Sequence, residues 1–274
     1  MTATLTATTQ GLTARDLTLG YHGTPVVHEA TIDVPAGAVT TLVGPNGSGK
    51  STLLRAMARL HRPTAGDIRV DGSEDALALT PREFARRVTL LAQSRPCPTG
   101  LSVRDVVAFG RHPHRGRWGG RSADDRRAID WASSVTGTGP LLDRTIDELS
   151  GGERQRVWLA TCLAQQAGVL LLDEPTTYLD LRYQVEMLEL IRDLADEHGV
   201  AVGVVLHDLN QAADVCDRVA VLQAGRIRAL GAPQEVLTAA LLSEVWGLPM
   251  DVTTDPVTGS VRAVPLGRHR RRRS

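Results

Sequence analysis

Eight residues in the N-terminal third of the chain have the types and spacing of a phosphate-binding loop. The segment reads Gly44-Pro45-Asn46-Gly47-Ser48-Gly49-Lys50-Ser51, which satisfies the pattern G-x-x-x-x-G-K-[ST]. Its glycines carry no side chains, so consecutive backbone N–H groups converge on one anion. We expect Lys50 to reach the β and γ oxygens of a nucleotide and the Ser51 hydroxyl to coordinate Mg²⁺.

Two neighbouring carboxylates form a second feature of a phosphate site. Asp173 and Glu174 follow the apolar run 169–172, which predicts a buried strand. Open α/β sheets bind ligands at the carboxyl ends of such strands. We expect Asp173 to hold Mg²⁺ and Glu174 to polarise the water that attacks the γ-phosphate. Taken alone, the pair is typical of an ordinary strand end, and the loop upstream favours the catalytic interpretation.

A second anion-binding helix end is predicted near the middle of the chain. Residues 149–156 read Leu-Ser-Gly-Gly-Glu-Arg-Gln-Arg and are followed by a helical run to about residue 166. Ser150, Gly151 and Gly152 cap this helix with bare backbone N–H groups. One polypeptide does not need two cradles for one γ-phosphate, so the second is expected to serve a different nucleotide.

The elements around these residues predict an α/β fold. The β-branched run 40–43, the glycine loop and the helical spacing of 52–60 form a strand, a loop and a helix. Further strands are predicted at 66–72, 88–91, 169–172, 201–206 and 218–223, with a helix at 181–197. This alternation implies a mostly parallel sheet flanked by helices. Residues 1–40 predict short strands broken by turns, one of them at 22–25.

A helical insertion is predicted at about 94–166, with capping boxes at Ser102/Asp105 and Ser122/Asp125.

The segment 268–273 holds five arginines in six positions. Such a charge run is typical of a solvated, disordered end, and contact with anionic lipid headgroups is the alternative.

Composition excludes several classes of protein. With 31 basic and 31 acidic residues and 3% aromatics, the chain is neither a nucleic-acid-binding polycation nor a stacking platform for single strands. Lys50 is the only lysine, which excludes a Schiff-base lysine elsewhere and the Asn-Lys-x-Asp element that reads guanine. Three widely spaced cysteines predict a reducing compartment and inert thiols. The sequence predicts neither a secretory signal nor a membrane helix, so we expect a cytosolic protein that reaches any membrane through a partner.

The segment 149–156 resembles the signature motif of the ATP-binding-cassette (ABC) ATPases, in which LSGGQ or LSGGE grips the ATP bound to the other subunit. The resemblance covers about residues 12–249, with its elements in the expected order. Tyr21 stands where the family stacks an aromatic ring on adenine, and Gln93 where a glutamine links Mg²⁺ to the helical subdomain. Asp180, after Leu179, matches the loop that contacts the opposite subunit, and His207 matches the switch histidine that touches the γ-phosphate. In isolation, Tyr21 and His207 are typical of ordinary half-buried or hydrogen-bonded residues.

The resemblance implies the fold, the site and the cofactors. The fold is an α/β P-loop NTPase of ABC type, with a mostly parallel core sheet, an N-terminal antiparallel β subdomain and an inserted helical subdomain. One ATPase domain is expected at 10–250 and a C-terminal extension at 251–274. ATP and Mg²⁺ are the implied cofactors. The implied catalytic residues are Glu174, His207 and Gln93, and the implied metal ligands are Ser51, Gln93 and Asp173. The implied nucleotide-binding residues are Tyr21, Gly44, Pro45, Asn46, Gly47, Ser48, Gly49, Lys50, Ser51, Thr52, Ser150, Gly151, Gly152, Glu153 and Asp180.

A finer similarity is to the ATPases that power import of iron(III) siderophores, haem and cobalamin. It is carried by the segments 110–116 and 176–181. His112 and His114 suggest a metal site, but the motor in this family does not touch cargo, and loop residues near the membrane partner are the favoured interpretation. The implied partners are a second copy of the chain, a membrane permease on whose cytoplasmic side it sits peripherally and, indirectly, an external binding protein, with no nucleic acid. The alternatives are a haem or cobalamin importer and a soluble, non-transport ABC ATPase.

Overall fold

The computed structural model describes residues 11–72, 74–93, 98–116 and 122–267. The arginine-rich segment 268–273 and Cys97 lie outside these residues. The strands are β1 (Leu12–Tyr21), β2 (Thr24–Val34), β3 (Val39–Val43), β4 (Ala65–Val70), β5 (Glu74–Asp75), β6 (Val88–Leu91), β7 (Val169–Asp173), β8 (Ala201–Val205), β9 (Arg218–Gln223), β10 (Arg226–Gly231), β11 (Met250–Thr254) and β12 (Val261–Pro265). The α-helices are α1 (Lys50–Met57), α2 (Pro81–Ala85), α3 (Val103–Ala108), α4 (Ala123–Val135), α5 (Gly151–Ala164), α6 (Leu181–Asp196), α7 (Leu209–Val215), α8 (Pro233–Val236) and α9 (Ala239–Trp246).

The central sheet is parallel apart from one edge strand, as the alternation of strands and helices predicts. Its order is β10-β9-β3-β8-β7-β6, and only β10 pairs antiparallel. Every residue of β3, β7 and β8 is buried, which is typical of strands covered on both faces. Because β3, β6, β7 and β8 run the same way, the segments that follow them emerge at one edge of the sheet.

The first two strands are long rather than short. The antiparallel sheet β2-β1-β4-β5 contains β1 with 10 residues and β2 with 11. Register shifts interrupt their pairing, and Asp16 and Glu29 have left-handed backbones with φ of 49° and 48°. These irregularities break the two-residue alternation that reveals a strand, which explains why the sequence predicts shorter pieces.

The helix after the glycine loop begins near Lys50, as expected, but is shorter than its helical spacing predicts. That spacing runs to residue 60, whereas α1 ends at Met57. Gly49, with φ of 99°, starts the helix directly from the loop. Arg59, with a left-handed φ of 59°, lies just beyond its end. The helix therefore places its first turn inside the loop.

Helices α3, α4 and α5 lie between β6 and β7, where the sequence predicts the insertion. Ser122 and Asp125 form the predicted capping box. Ser102 caps α3 by accepting from the Asp105 N–H, while the reciprocal backbone bond of a full box is not formed. The domain limits 94–166 and 10–250 remain predictions.

The interpretation of His112 and His114 as loop residues is wrong, because Phe109–His114 is a 3-10 helix that continues from α3. Arg111 donates to the Ala164 carbonyl over 2.8 Å, and the His114 imidazole lies 2.7 Å from the Gln165 carbonyl. Both side chains therefore cap the C-terminal end of α5. Among the described residues, no group of three or more His, Cys, Asp or Glu side chains is placed to hold a metal ion.

A C-terminal hairpin packs against α7. Strands β11 and β12 pair antiparallel, and Met250, Val261 and Ala263 belong to the main apolar core. The Asn210 side chain bonds both the N–H and the carbonyl of Ala263, at 2.8 and 3.3 Å. This hairpin, which the sequence did not predict, holds the helix that follows His207. Within the described ranges, no helix has the length and apolar character needed to cross a bilayer.

Candidate functional site

The glycine loop joins the buried strand β3 to α1 and has room only for glycine at two points. A Cβ added at Gly44 would lie 2.1 Å from the Leu222 carbonyl oxygen. A Cβ added at Gly49 would lie 2.9 Å from a Val27 methyl carbon. Both glycines have positive φ, 152° and 99°. The loop therefore packs its backbone tightly and directs the N-terminal end of α1 into its own concavity, where an anion is favoured.

Lys50 lies inside this loop and is only 5% exposed. Its ammonium donates to the carbonyl oxygens of Gly44 at 2.8 Å and Pro45 at 3.0 Å. Burial lowers the pKa of Lys50, and the carboxylates of Glu174 and Asp173 partly offset that effect. The cation is thus held at the mouth of the loop by weak neutral acceptors that a phosphate oxygen would outcompete.

Oxygen ligands suited to a hard divalent cation lie beside the loop. The Ser51 hydroxyl donates to Asp173 Oδ1 at 2.7 Å, which joins α1 to the end of β7. Asp173 is 1% exposed, and no described residue donates a hydrogen bond to its buried Oδ2, with the Arg55 guanidinium 3.5 Å away. A buried carboxylate oxygen normally has a donor or a metal ion. The hydroxyl and carboxylate therefore fit Mg²⁺ in chemistry.

The Glu174 carboxylate, at the end of β7, contacts residues that follow the two neighbouring parallel strands. Its Oε1 lies 2.7 Å from His207 Nε2, which follows β8. Its Oε2 accepts from the Gln93 amide, which follows β6, and from the Thr177 hydroxyl at 3.3 Å. Glu174 has a left-handed backbone with φ of 55°, a strained conformation that occurs often at functional sites. The structure thus brings together the three residues that the sequence analysis named as catalytic.

These groups surround one cavity of about 530 Å³, open to solvent, between the loop and the carboxylate. The described residues that line it are Val26, Asn46, Gly47, Ser48, Gly49, Lys50, Ser51, Thr52, Gln93, Glu174, Thr177, Tyr178 and His207. Its floor is cationic and rich in backbone N–H groups, and its wall carries a carboxylate and an imidazole. That arrangement is able to hold a phosphate chain beside a base that orients water.

Three residues of this wall were missed by the sequence analysis: Val26, Thr177 and Tyr178. Tyr178 is 96% exposed and has a left-handed φ of 65°. The only available signal was its place in the chain, between Glu174 and Asp180. Val26 belongs to β2, and nothing in its own neighbourhood indicates a site.

The segment that resembles the signature motif forms the N-terminal end of α5. Ser150 accepts from the Glu153 N–H at 3.3 Å, and the Ser150 N–H donates to the Glu153 carboxylate at 2.8 Å. These bonds lower the pKa of Glu153. Gly152 is required by packing, since an added Cβ would lie 2.7 Å from the Tyr183 ring. Glu153 and Ser150 thus form a capping box at the N-terminal end of α5.

Several predicted binding residues lie apart from this cavity within the described chain. Ser150, Gly152, Glu153, Asp180 and Tyr21 are not among its lining residues. Gly151 lines a neighbouring cavity of about 330 Å³ that also touches Gln93 and Glu174.

Asp180 and Tyr21 have identifiable local roles. Asp180 caps α6 by accepting from the Tyr183 N–H at 3.0 Å. Tyr21 is 44% exposed at the end of β1, and its ring lies against the His61 ring with centroids 4.5 Å apart. An exposed phenol ring held by a second ring is a plausible geometry for stacking on a planar base.

Comparison with known proteins gives one consistent result. A family model described as ABC transporter matches residues 27–177. The chain is 42% identical to the ferric enterobactin transport ATP-binding protein FepC of Escherichia coli (strain K12), over 96% of this chain and 97% of that protein. It is 40% identical to the iron(3+)-hydroxamate import ATP-binding protein FhuC of Bacillus subtilis (strain 168), over 90% and 91%. A solved inward-facing conformation of a metal-chelate type ABC transporter superposes with a TM-score of 0.83 and 27% identity, over 95% of this chain and 99% of that one.

Proposed function

The chain belongs to the ABC transporter family as an ATP-binding ATPase, and from that premise we propose that it energises import of ferric siderophores through a separate membrane permease. The contact of Glu174 with both His207 and Gln93, beside the glycine loop, carries the mechanistic part of this proposal. The cargo is inferred from the relatives, whose names specify ferric enterobactin and iron(3+)-hydroxamate.

Nucleotide binding is assigned to the loop and to Tyr21. The backbone N–H groups of residues 46–52 and the Lys50 ammonium would bind the phosphate oxygens, and the half-exposed Tyr21 ring would stack on adenine. Ser51 and Asp173, with Gln93, would hold Mg²⁺, which when bound neutralises the charge that develops on the phosphate oxygens.

Hydrolysis is assigned to the carboxylate at the end of β7. Glu174 would orient a water molecule and accept its proton, and His207 would donate a hydrogen bond to the γ-phosphate. The Glu174–His207 contact of 2.7 Å holds the carboxylate in the wall of the cavity that Lys50 also lines.

Two copies of the chain are proposed to share each nucleotide. Ser150, Gly151, Gly152, Glu153 and Asp180 would contact the ATP, or the loop around it, that the other copy binds. In support, the N-terminal end of α5 is a second anion-binding end and Ser150 does not line the cavity of its own chain. Closure of the pair would supply the mechanical step, peripherally at the cytoplasmic face of the permease, with an external binding protein delivering cargo.

Two substitutions test the ATPase. Lys50→Ala should remove most ATP binding, whereas Glu174→Gln should retain binding and lose hydrolysis by about 10²–10⁴-fold, the usual contribution of a general base. Both are measured by nucleotide binding and phosphate release, with purified permease present in vesicles. Normal turnover by either variant would reject the role assigned to that residue.

A transport assay tests the cargo. A strain that lacks the gene is complemented with wild type or with Glu174→Gln. Uptake of radioactive iron is compared for hydroxamate chelates, catecholate chelates and haem, and uptake of labelled cobalamin is measured beside them. We expect wild type alone to restore uptake of at least one ferric siderophore. Restoration of haem or cobalamin uptake only would reject the siderophore assignment and leave the ATPase intact.

A further inference from the structure

Two glutamine side chains hold the backbone of the loop that follows Glu174. Gln155 of α5 donates to the Pro175 carbonyl at 3.1 Å. Gln184 of α6 donates to the Leu179 carbonyl at 3.0 Å and lies 3.5 Å from that of Thr176. The loop therefore depends on side chains from separate helices, because its own backbone forms no regular structure.

The orientation of each amide follows from the fixed acceptors. The Leu179 carbonyl only accepts, so the Gln184 amide nitrogen must face it. The oxygen of Gln184 is then free to accept from Gln211 Nε2, at 2.9 Å. The Gln211 oxygen in turn lies 3.5 Å from the Thr176 hydroxyl, which donates to it. Donors and acceptors match in one arrangement, so Gln184 and Gln211 link the loop to α7 in a directed chain.

Gln211 is connected to the switch histidine through the cap of α7. Asp208 Oδ1 accepts from the N–H groups of Asn210 at 2.7 Å and Gln211 at 3.1 Å. Asp208 directly follows His207 in the chain, and the His207 side chain is 45% exposed. An exposed imidazole has little packing to fix it, so its position depends on the start of α7.

We propose that Gln184 and Gln211 are a positioning pair. They hold the loop that follows Glu174 and the helix α7, which follows His207, in the relative position that hydrolysis needs. This role rests on the proposed function and deepens it. Neither glutamine lines the nucleotide cavity, so the pair acts on the reacting groups only through the loop and through α7. A misplacement of about 1 Å is enough to cost up to 10²-fold in rate.

The test replaces each amide with a side chain of similar size that forms no hydrogen bonds. Gln184→Leu and Gln211→Leu are each expected to lower kcat for ATP about tenfold, with KM for ATP within about twofold of wild type, since the glycine loop is untouched. The double variant should also lose about tenfold rather than about 100-fold, because both changes break the same link. Glu189→Gln, at an exposed position of α6, is the matched control and should behave as wild type.

A further variant separates positioning from packing. Gln184→Glu keeps the length of the side chain and the oxygen that faces Gln211 but removes the donor to Leu179, so it too should lower kcat about tenfold. If the wild type is active and kcat is unchanged in these variants, the positioning role is overturned and the proposed function stands. The same holds if the losses in the double variant multiply, or if only the leucine variants lose activity. A wild type without ATPase activity beside its permease would overturn the proposed function, and the pair with it.

Discussion

Replacing Arg111 with methionine is expected to destabilise the protein strongly, because it removes a buried cation with three partners. Arg111 is 3% exposed and donates to Asp125 Oδ1 at 2.9 Å, the Ala164 carbonyl at 2.8 Å and Gln166 Oε1 at 2.8 Å. Methionine fills a similar volume without donating any hydrogen bond. The variant therefore leaves the Asp125 carboxylate buried with much weaker compensation.

The expected loss is set by what remains around Asp125. The carboxylate keeps the Ser122 N–H at 3.2 Å and the Arg115 guanidinium at 3.7 Å. Removing one partner of a buried pair usually costs about 3–5 kcal/mol, and the remaining contacts favour the lower end, about 3 kcal/mol. For a chain of this size that corresponds to a fall in Tm of about 6–12 °C.

The pH of the measurement follows from the ionisation of Asp125. Burial opposes ionisation of this carboxyl, but the hydrogen bonds from Arg111 and Ser122 outweigh it and lower its pKa. A lowered pKa contributes stability above the unfolded value of about 4, and that stability is lost as the pH falls through the folded value. Unfolding is therefore followed by calorimetry at about pH 7.5, where the full contribution is present.

The double variant Arg111→Met with Asp125→Leu is the decisive comparison. It leaves no buried charge, so it should recover at least half of the stability that the single variant loses. A single variant whose Tm lies within about 1 °C of wild type would refute the argument. A double variant no more stable than the single one would show that lost packing, rather than the stranded carboxylate, sets the cost.

Three further changes have defined outcomes. Tyr21→Ala should weaken ATP affinity about tenfold, the scale of one lost base-stacking contact, with little change in the rate at saturating ATP; unaltered affinity in a binding titration would show that the ring does not stack. Gly110→Ala places a Cβ 2.0 Å from the Thr161 carbonyl oxygen and should cost about 1–3 kcal/mol in urea unfolding, whereas Gly116→Ala, with nothing within 4 Å, should cost far less. Burial raises the pKa of Cys216 to about 12. Iodoacetamide at about pH 8 should therefore modify this thiol slowly in the folded protein and rapidly in denaturant. Equal rates would contradict the burial of Cys216.

The sequence was most informative where chemistry requires fixed spacing. The glycine loop, the Asp173-Glu174 pair and the strands around them follow from local patterns, and the parallel sheet then places Gln93 and His207 beside Glu174. The loop and the carboxylate pair need only neighbouring residues, whereas Gln93 and His207 were named from the resemblance to the ABC ATPases. The rule that parallel strands end at one edge explains why they lie beside Glu174.

Such local patterns do not predict contacts between distant parts of the chain. His114 was interpreted as a loop residue near a membrane partner, whereas it bonds the end of α5, 51 positions away. The bulges at Asp16 and Glu29 hid the length of β1 and β2. Tyr178 lines the cavity and has a left-handed backbone, a conformation that residue patterns do not predict for a tyrosine.

The enclosure of Lys50 has a practical consequence for following the protein in solution. It supplies the only side-chain amine of the chain, and that amine is fastened to the carbonyls of its own loop. An acylating reagent therefore has one side-chain amine to modify. Modification of Lys50 reports whether the loop encloses a ligand or leaves the amine accessible to the reagent. Acylation mapped to the peptide that contains Lys50, and blocked by bound nucleotide, would report occupancy of the loop without any engineered label.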